Sequence, residues 1–265
     1  MVSPAAESSS TERAFTRPRR GELPKHGRLR PRDALRAMRR LLENPDDTAQ
    51  VFTIVEALSG RSGERNLEKF RRTPTGAEVL NKRASLLGAL RDRKALESLP
   101  EGSLGRAYLR FVDEEGINAD GLVDASETGS LRRAAALEID EDLELFADRM
   151  RDMHDLWHTV TGYKGDLLGE ASLLAFSFAQ TWNPGIGFIV SVALLRMGRF
   201  RAFGAQRLVL EGFARGLRAA WLPAQDWEAL LPLDLGVVRR RLRIGTLASY
   251  EPIRSWMVKE SRLVG

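Results

Sequence analysis

A chain of 265 residues can bury a sizeable core, and 43% hydrophobic with 29% charged residues places it among ordinary globular proteins, outside the disordered and integral-membrane classes. It has no cysteine, which excludes disulfides and thiolate ligands, so any metal must be held by His, Asp or Glu. The net charge of +5 is uneven: residues 1–40 carry eleven Lys/Arg against four Asp/Glu, the stretch from Gly236 carries seven against two, and the middle is acidic, so the basic ends suit an anionic lipid surface or nucleic acid.

Residues 1–30 are rich in Ser, Pro and Arg without apolar periodicity and read as a disordered basic tail. No apolar core follows the start, which speaks against a secretory signal, and Glu7, Glu12 and Glu22 suit a transit peptide poorly. Residues 31–265 then read as one compact, all-α, multi-helix domain. "PRDALRAMRRLLEN" opens on Pro31, a first-turn residue, and "NPDD" makes a turn. "TAQVFTIVEALSG" predicts a helix that stops at Gly60, and "TPTGAEVLNKRASLLGAL" a further helix capped by Thr73 or Thr75. "PEGSLGRAYLRFVDEEG" begins after Pro-Glu-Gly and ends in glycine. No run of alternating β-branched residues argues for a strand.

Leu143, Phe146, Met150, Met153, Trp157 and Val160 recur at three and four, the stripe of one amphipathic helix against a core, ending near Thr161. Ala171 to Leu195 follows without a charge; "QTWNPGIG" interrupts it, so it reads as two buried helices joined by an NPG turn rather than a membrane span.

Within "HDLWHTVTGYKGDLLGE" two of the chain's three histidines stand one helical turn apart at the edge of the stripe. That spacing lets two imidazoles share one ion. Asp155 lies about 100° further round the helix. Gly162, Gly165 and Gly169 allow the chain to return and bring Glu170 over the helix end, so His154, Asp155, His158 and Glu170 form a candidate nitrogen and oxygen ligand set. The histidine spacing resembles the H-E-x-x-H metal pattern, in which the acid after the first histidine is a general base. The other reading needs no ligand: the rings pack on Trp157 and are satisfied by carboxylates, at the cost of burying such groups beside an apolar helix pair.

The motif H-D-x-x-H, eleven residues, then E, together with "NPDDTAQVFTIVEALSG", "TPTGAEVL", "PEGSLGRAYLRF" and "DWEALLPLDLGVVRRRLRI" in that order, resembles the Coq-four family of ubiquinone (coenzyme Q) biosynthesis proteins over roughly residues 31–245. The resemblance implies an all-helical homodimer lying peripherally on the membrane where the quinone is made, either the cytoplasmic face of a bacterial inner membrane or the matrix side of the mitochondrial one. It implies a divalent metal, zinc, on His154, Asp155, His158 and Glu170. It also implies removal of the C1 carboxylate from a 4-hydroxy-3-methoxy-5-polyprenylbenzoate, alone or coupled to hydroxylation, beside the other ubiquinone-biosynthesis enzymes. A nearby acid then protonates C1, a role open to Asp155 or Glu170 in place of ligating the metal. "ASLLAFSFAQTWNPG" is more apolar than the resemblance leads one to expect.

Three rivals follow from the residues. A non-catalytic lipid-binding scaffold with a structural metal would tolerate loss of the carboxylates. A His-Asp phosphohydrolase would need a second His-Asp or a distal Asp signature, and none is visible. Nucleic-acid binding through the arginines lacks stacking platforms in a chain with 7% aromatics. His26 reads as solvated, and Trp182, Trp221, Trp227 and Trp256 as packing or membrane-interface residues.

Overall fold

The computed structural model describes residues 29–117, 140–199, 202–247 and 249–253. The expected tail over 1–30 lies outside them except for Leu29 and Arg30, as do His26 and Trp256. Among the described residues every regular element is helical, and the sole extended pairing is an isolated bridge between Ser103 and Asp234.

The helices are α1 (Pro31–Glu43), α2 (Thr48–Leu58), α3 (Ser62–Arg71), α4 (Pro74–Lys82), α5 (Leu86–Arg91), α6 (Arg93–Glu97) and α7 (Leu104–Glu115). After them come α8 (Glu141–Asp152), α9 (His154–Thr161), α10 (Leu167–Thr181), α11 (Pro184–Arg199), α12 (Phe203–Arg218), α13 (Trp227–Leu230) and α14 (Leu235–Arg241). Several starts are where the local chemistry puts them. Thr73 Oγ1 accepts from the Gly76 amide at 3.0 Å, Ser103 Oγ from that of Arg106 at 3.2 Å, and α1 opens on its proline.

Three expectations need correction. The helix expected over 73–90 is two, because Arg83 turns left-handed (φ 52°) and its guanidinium reaches Asp142 at 2.9 Å and Glu141 at 2.8 Å in the first turn of α8. The single helix expected over 143–160 breaks at Met153. Phe146, Met153, Trp157 and Val160 still face inward, but the break lets α8 pack on α3 and α5 while α9 turns onto α7. Of the two helices expected to be buried, only α10 is. On α11 just Gly185, Ile189 and Val190 are buried, and Leu195 is 74% exposed, since α2 and α10 cover one side and the outer side is left open.

The core is centred on α10, whose most extensive partner is α12. Gly212 and Gly216, one turn apart on α12, let the backbones meet: a Cβ on either would run into the carbonyls of Ser172 and Phe176 on α10. Leu156, Trp157, Val160, Leu173 and Phe176 are buried in the same cluster, each contributing about 1.5–3 kcal/mol of hydrophobic free energy. The helix that carries both histidines, α9, packs chiefly on α7 and also meets α14, α8 and α10.

Candidate metal centre

His154 and His158 project from α9 with ring centroids 4.8 Å apart and planes at 71°. His154 Nδ1 lies 3.0 Å from Asp155 Oδ1, and His158 Nδ1 lies 2.9 Å from the Tyr163 carbonyl oxygen. With an acceptor on each Nδ1, the tautomer assigned to both rings carries its proton there and leaves Nε2 bare. Both Nε2 atoms face the start of α10: His158 Nε2 is 3.2 Å from Glu170 Oε1 and His154 Nε2 is 3.8 Å from Oε2.

His158 is buried and its Nε2 has no well-aligned hydrogen-bond partner, while His154 and Glu170 are half-exposed. Burial opposes a charge on His158, but the Glu170 carboxylate, aided by Asp155, outweighs it and raises the imidazole above its ordinary value. Burial likewise works to raise the Glu170 carboxyl, and the imidazoles of His158 and His154 hold it down instead, to about 2. Glu170 is thus an anion at any ordinary pH.

One ligand atom from each of His154, His158 and Glu170 lies within 4.8 Å of the others. Two nitrogens and a carboxylate oxygen match the donors of a catalytic zinc site, where three protein ligands leave a further position open. The Asp155 and Tyr163 contacts are the outer hydrogen bonds that orient ligating histidines. The bare, buried Nε2 of His158 is a polar atom that such an ion would satisfy. The residues therefore fit a divalent metal. Of the four ligands expected, three converge, and Asp155 Oδ1 stands behind His154 against the far ring nitrogen.

At eight residues α9 is too short to hold itself as a helix. Its terminal carbonyls are closed from far along the chain. Arg239 Nε donates to Val160 O at 2.9 Å and its guanidinium to Thr159 O at 3.1 Å, while Arg215 donates to Thr161 O at 2.8 Å and to Gly245 O at 2.7 Å. The Phe111 ring of α7 stacks on His158 at 5.0 Å. Gly162 ends the helix left-handed (φ 84°), and Asp166 caps α10, its Oδ1 accepting from the amides of Leu168 at 3.0 Å and Gly169 at 3.3 Å.

The segment 249–253 then straps this loop down. Tyr250 donates its hydroxyl to Asp166 Oδ2 at 2.7 Å and accepts the Lys164 amide at 2.9 Å; the Ile253 amide reaches Asp166 Oδ1 at 2.8 Å. A Cβ at position 169 would collide with the Lys164 carbonyl, so glycine precedes Glu170 for want of space. Of these supporting residues, Asp166 carries a readable signal, an acidic cap before an apolar run. Phe111, Tyr163, Arg215, Arg239 and Tyr250 carry none in their local sequence.

The family model described as coenzyme Q (ubiquinone) biosynthesis protein Coq4 matches residues 33–248. A human protein named ubiquinone biosynthesis protein COQ4 homolog, mitochondrial, is 35% identical over 135 residues, 49% of this chain and 47% of that protein. A protein of Aspergillus clavatus named ubiquinone biosynthesis protein coq4, mitochondrial, is 31% identical over 192 residues, 71% of this chain and 63% of that protein. The chain thus spans less than two thirds of the length of these two relatives. The crystal structure of a putative ubiquinone biosynthesis protein from Nostoc punctiforme superposes with a TM-score of 0.58 at 20% identity, over 82% of this chain and 100% of that one, a likeness of fold.

Proposed function

The chain belongs to the Coq4 family of coenzyme Q (ubiquinone) biosynthesis proteins, and from that premise we propose that it acts in ubiquinone biosynthesis by removing the C1 carboxylate of a 4-hydroxy-3-methoxy-5-polyprenylbenzoate. The observation that carries the reading is the orientation of the two histidines. Each Nδ1 has its own acceptor while both Nε2 atoms face one ionised glutamate on the half-exposed side of the site. A structural metal is enclosed by four protein ligands, whereas three ligands with an open side suit chemistry.

His154, His158 and Glu170 would hold a zinc ion, and Asp155 and Tyr163 would fix the ring tautomers. Bound there, the ion would polarise an oxygen of the head group. The reaction takes up one proton at C1 and releases carbon dioxide: the para phenolic oxygen becomes the carbonyl of a dienone, and it takes up the electron pair as the carbon–carbon bond breaks. With Glu170 engaged as a ligand, the proton comes from water on the open, half-exposed side of the site and passes to C1. The open apolar side of α11 suits the polyprenyl tail. The reading extends to a homodimer lying on the membrane beside the other enzymes of the pathway; no described helix is long and apolar enough to cross one.

The test is complementation of a deletion strain with wild type or Glu170→Gln at equal protein abundance, with quinone precursors measured by mass spectrometry. Accumulation of the C1-carboxylated precursor supports the reading. Restored ubiquinone overturns it and leaves a lipid-presenting scaffold with a structural metal.

A further inference from the structure

At the C-terminal end of α10, away from the ligands, a cleft of about 420 Å³ opens between α3, α10 and α12. Arg65 and Lys69 line one wall, and Trp182, Leu217 and Trp221 line the others. The neighbouring charges of α3 are paired with each other, Arg61 with Glu64 at 2.9 Å and Arg72 with Glu68 at 2.8 Å. Arg65 and Lys69, one turn apart, have no carboxylate partner among the described residues. Lys69 Nζ sits 3.9 Å over the Trp221 ring, and partial burial lowers its pKa.

The polar groups around this cation pair are satisfied. Gln180 donates to Gly216 O at 2.6 Å and accepts from the Leu222 amide at 2.8 Å; Asn66 donates to Thr181 O at 2.8 Å; Trp221 Nε1 donates to Gln180 O at 2.9 Å. The walls are therefore fixed, and the two cations remain for an incoming anion.

A second observation leads into the same cleft. Phe203, Leu210 and Leu217, seven residues apart on one face of α12, are 66%, 56% and 54% exposed, and the last of them lines the cleft. Beside them Trp182 is 56% exposed and left-handed (φ 50°), a strained conformation for a bulky residue, with its ring against Phe178 and Phe213. Arg207 and Arg218 flank the stripe, exposed and without a carboxylate partner among the described residues.

We propose that the cleft and stripe bind one anionic phospholipid of a membrane surface, its phosphate between Arg65 and Lys69 and its chains along Leu217, Leu210 and Phe203. The proposal deepens the membrane association of the reading above and rests on it. Charge selects lipid over a second copy of the chain. The cleft and stripe carry Arg65, Lys69, Arg207 and Arg218 against Glu211 alone on α12, so an anionic leaflet complements them, whereas a second copy would bring the same excess of positive charge. With α10 rising about 1.5 Å per residue, the phosphate seat lies roughly 20 Å from the metal ligands, which makes it a mooring for the protein rather than a seat for the reacting head group.

The test is co-sedimentation of the full chain with vesicles of phosphatidylcholine alone or mixed with phosphatidylglycerol. Wild type should prefer the mixed vesicles, and R65Q/K69Q should bind them about 30-fold more weakly. R39Q/R40Q, which removes equal charge from α1, should cost no more than about threefold, and L210E should weaken binding to both kinds of vesicle. If R65Q/K69Q binds like wild type, the seat is wrong while membrane association stands; if wild type binds neither vesicle, membrane association falls with it. Inorganic phosphate binding as tightly as the mixed vesicles, or L210E dissociating a dimer without touching vesicle binding, also overturns the proposal.

Discussion

The two ends of α10 face the same problem, ionisable groups at the edge of an apolar helix, and meet it differently. At the start, Glu170 is opposed by two histidines, and the loop before it is pinned by Asp166, Tyr250 and Ile253. At the far end Gln180 and Asn66 complete the backbone, but Lys69, over Trp221, and Arg65 are left without a carboxylate partner among the described residues. A charge cluster whose members satisfy one another suits a small ion of opposite need, and a pair of like charges held apart suits a larger anion from outside.

The largest expected effect is at the first end. Glu170→Gln removes the only anionic member of the converging trio, so metal affinity by equilibrium dialysis should fall by more than the roughly hundredfold expected for an outer residue. Stoichiometric metal in that variant would sink the assignment. Gly169→Ala, which drives a methyl into the Lys164 carbonyl, should cost about 3 kcal/mol of unfolding free energy in urea. At the opposite end Gln180→Leu strands the Gly216 carbonyl and the Leu222 amide. It should cost about 2 kcal/mol yet leave metal affinity within about twofold; a change in metal affinity as large as the stability loss would show that the ends are not independent.

Asp155→Asn should lower metal affinity by about tenfold to hundredfold with the three converging ligands intact, because the His154 ring loses its charged orienting partner. The smallest effect is one of pH, on chelator-treated protein. Glu170, lowered from 4.5 to about 2, contributes stability that is complete above 4.5 and lost as pH falls toward 2. His158, raised above 6.5, contributes stability that is complete below 6.5 and lost as pH climbs through its raised value. Thermal midpoints should therefore peak between about 4.5 and 6.5 and flatten in Glu170→Gln; an unchanged profile in the variant would deny the coupling.

What could be read from the residues was local. Pro31, Thr73 and Ser103 announce helix starts because capping acts within one turn, and the convergence of His154, His158 and Glu170 follows from helical spacing plus a glycine-rich return. The breaks at Arg83 and Met153 were not legible, since the apolar pattern continues across both and the cause is a partner: α8 for Arg83, α7 for α9. Apolarity also failed to separate α10 from α11, because it states what a helix could bury and not what is present to cover it. The place of Asp155 behind His154 could not be told from a place beside it, as neighbouring side chains on a helix reach both.

The remote closure of α9 has a consequence for the order of synthesis. Once residue 170 has been made, every candidate ligand is in the chain, yet Arg215, Arg239 and Tyr250 have still to be made. A nascent chain at that stage holds the donors without the groups that fix them. The finished geometry is therefore a late event, and chains truncated before Tyr250 should emerge with the ligands and without the centre.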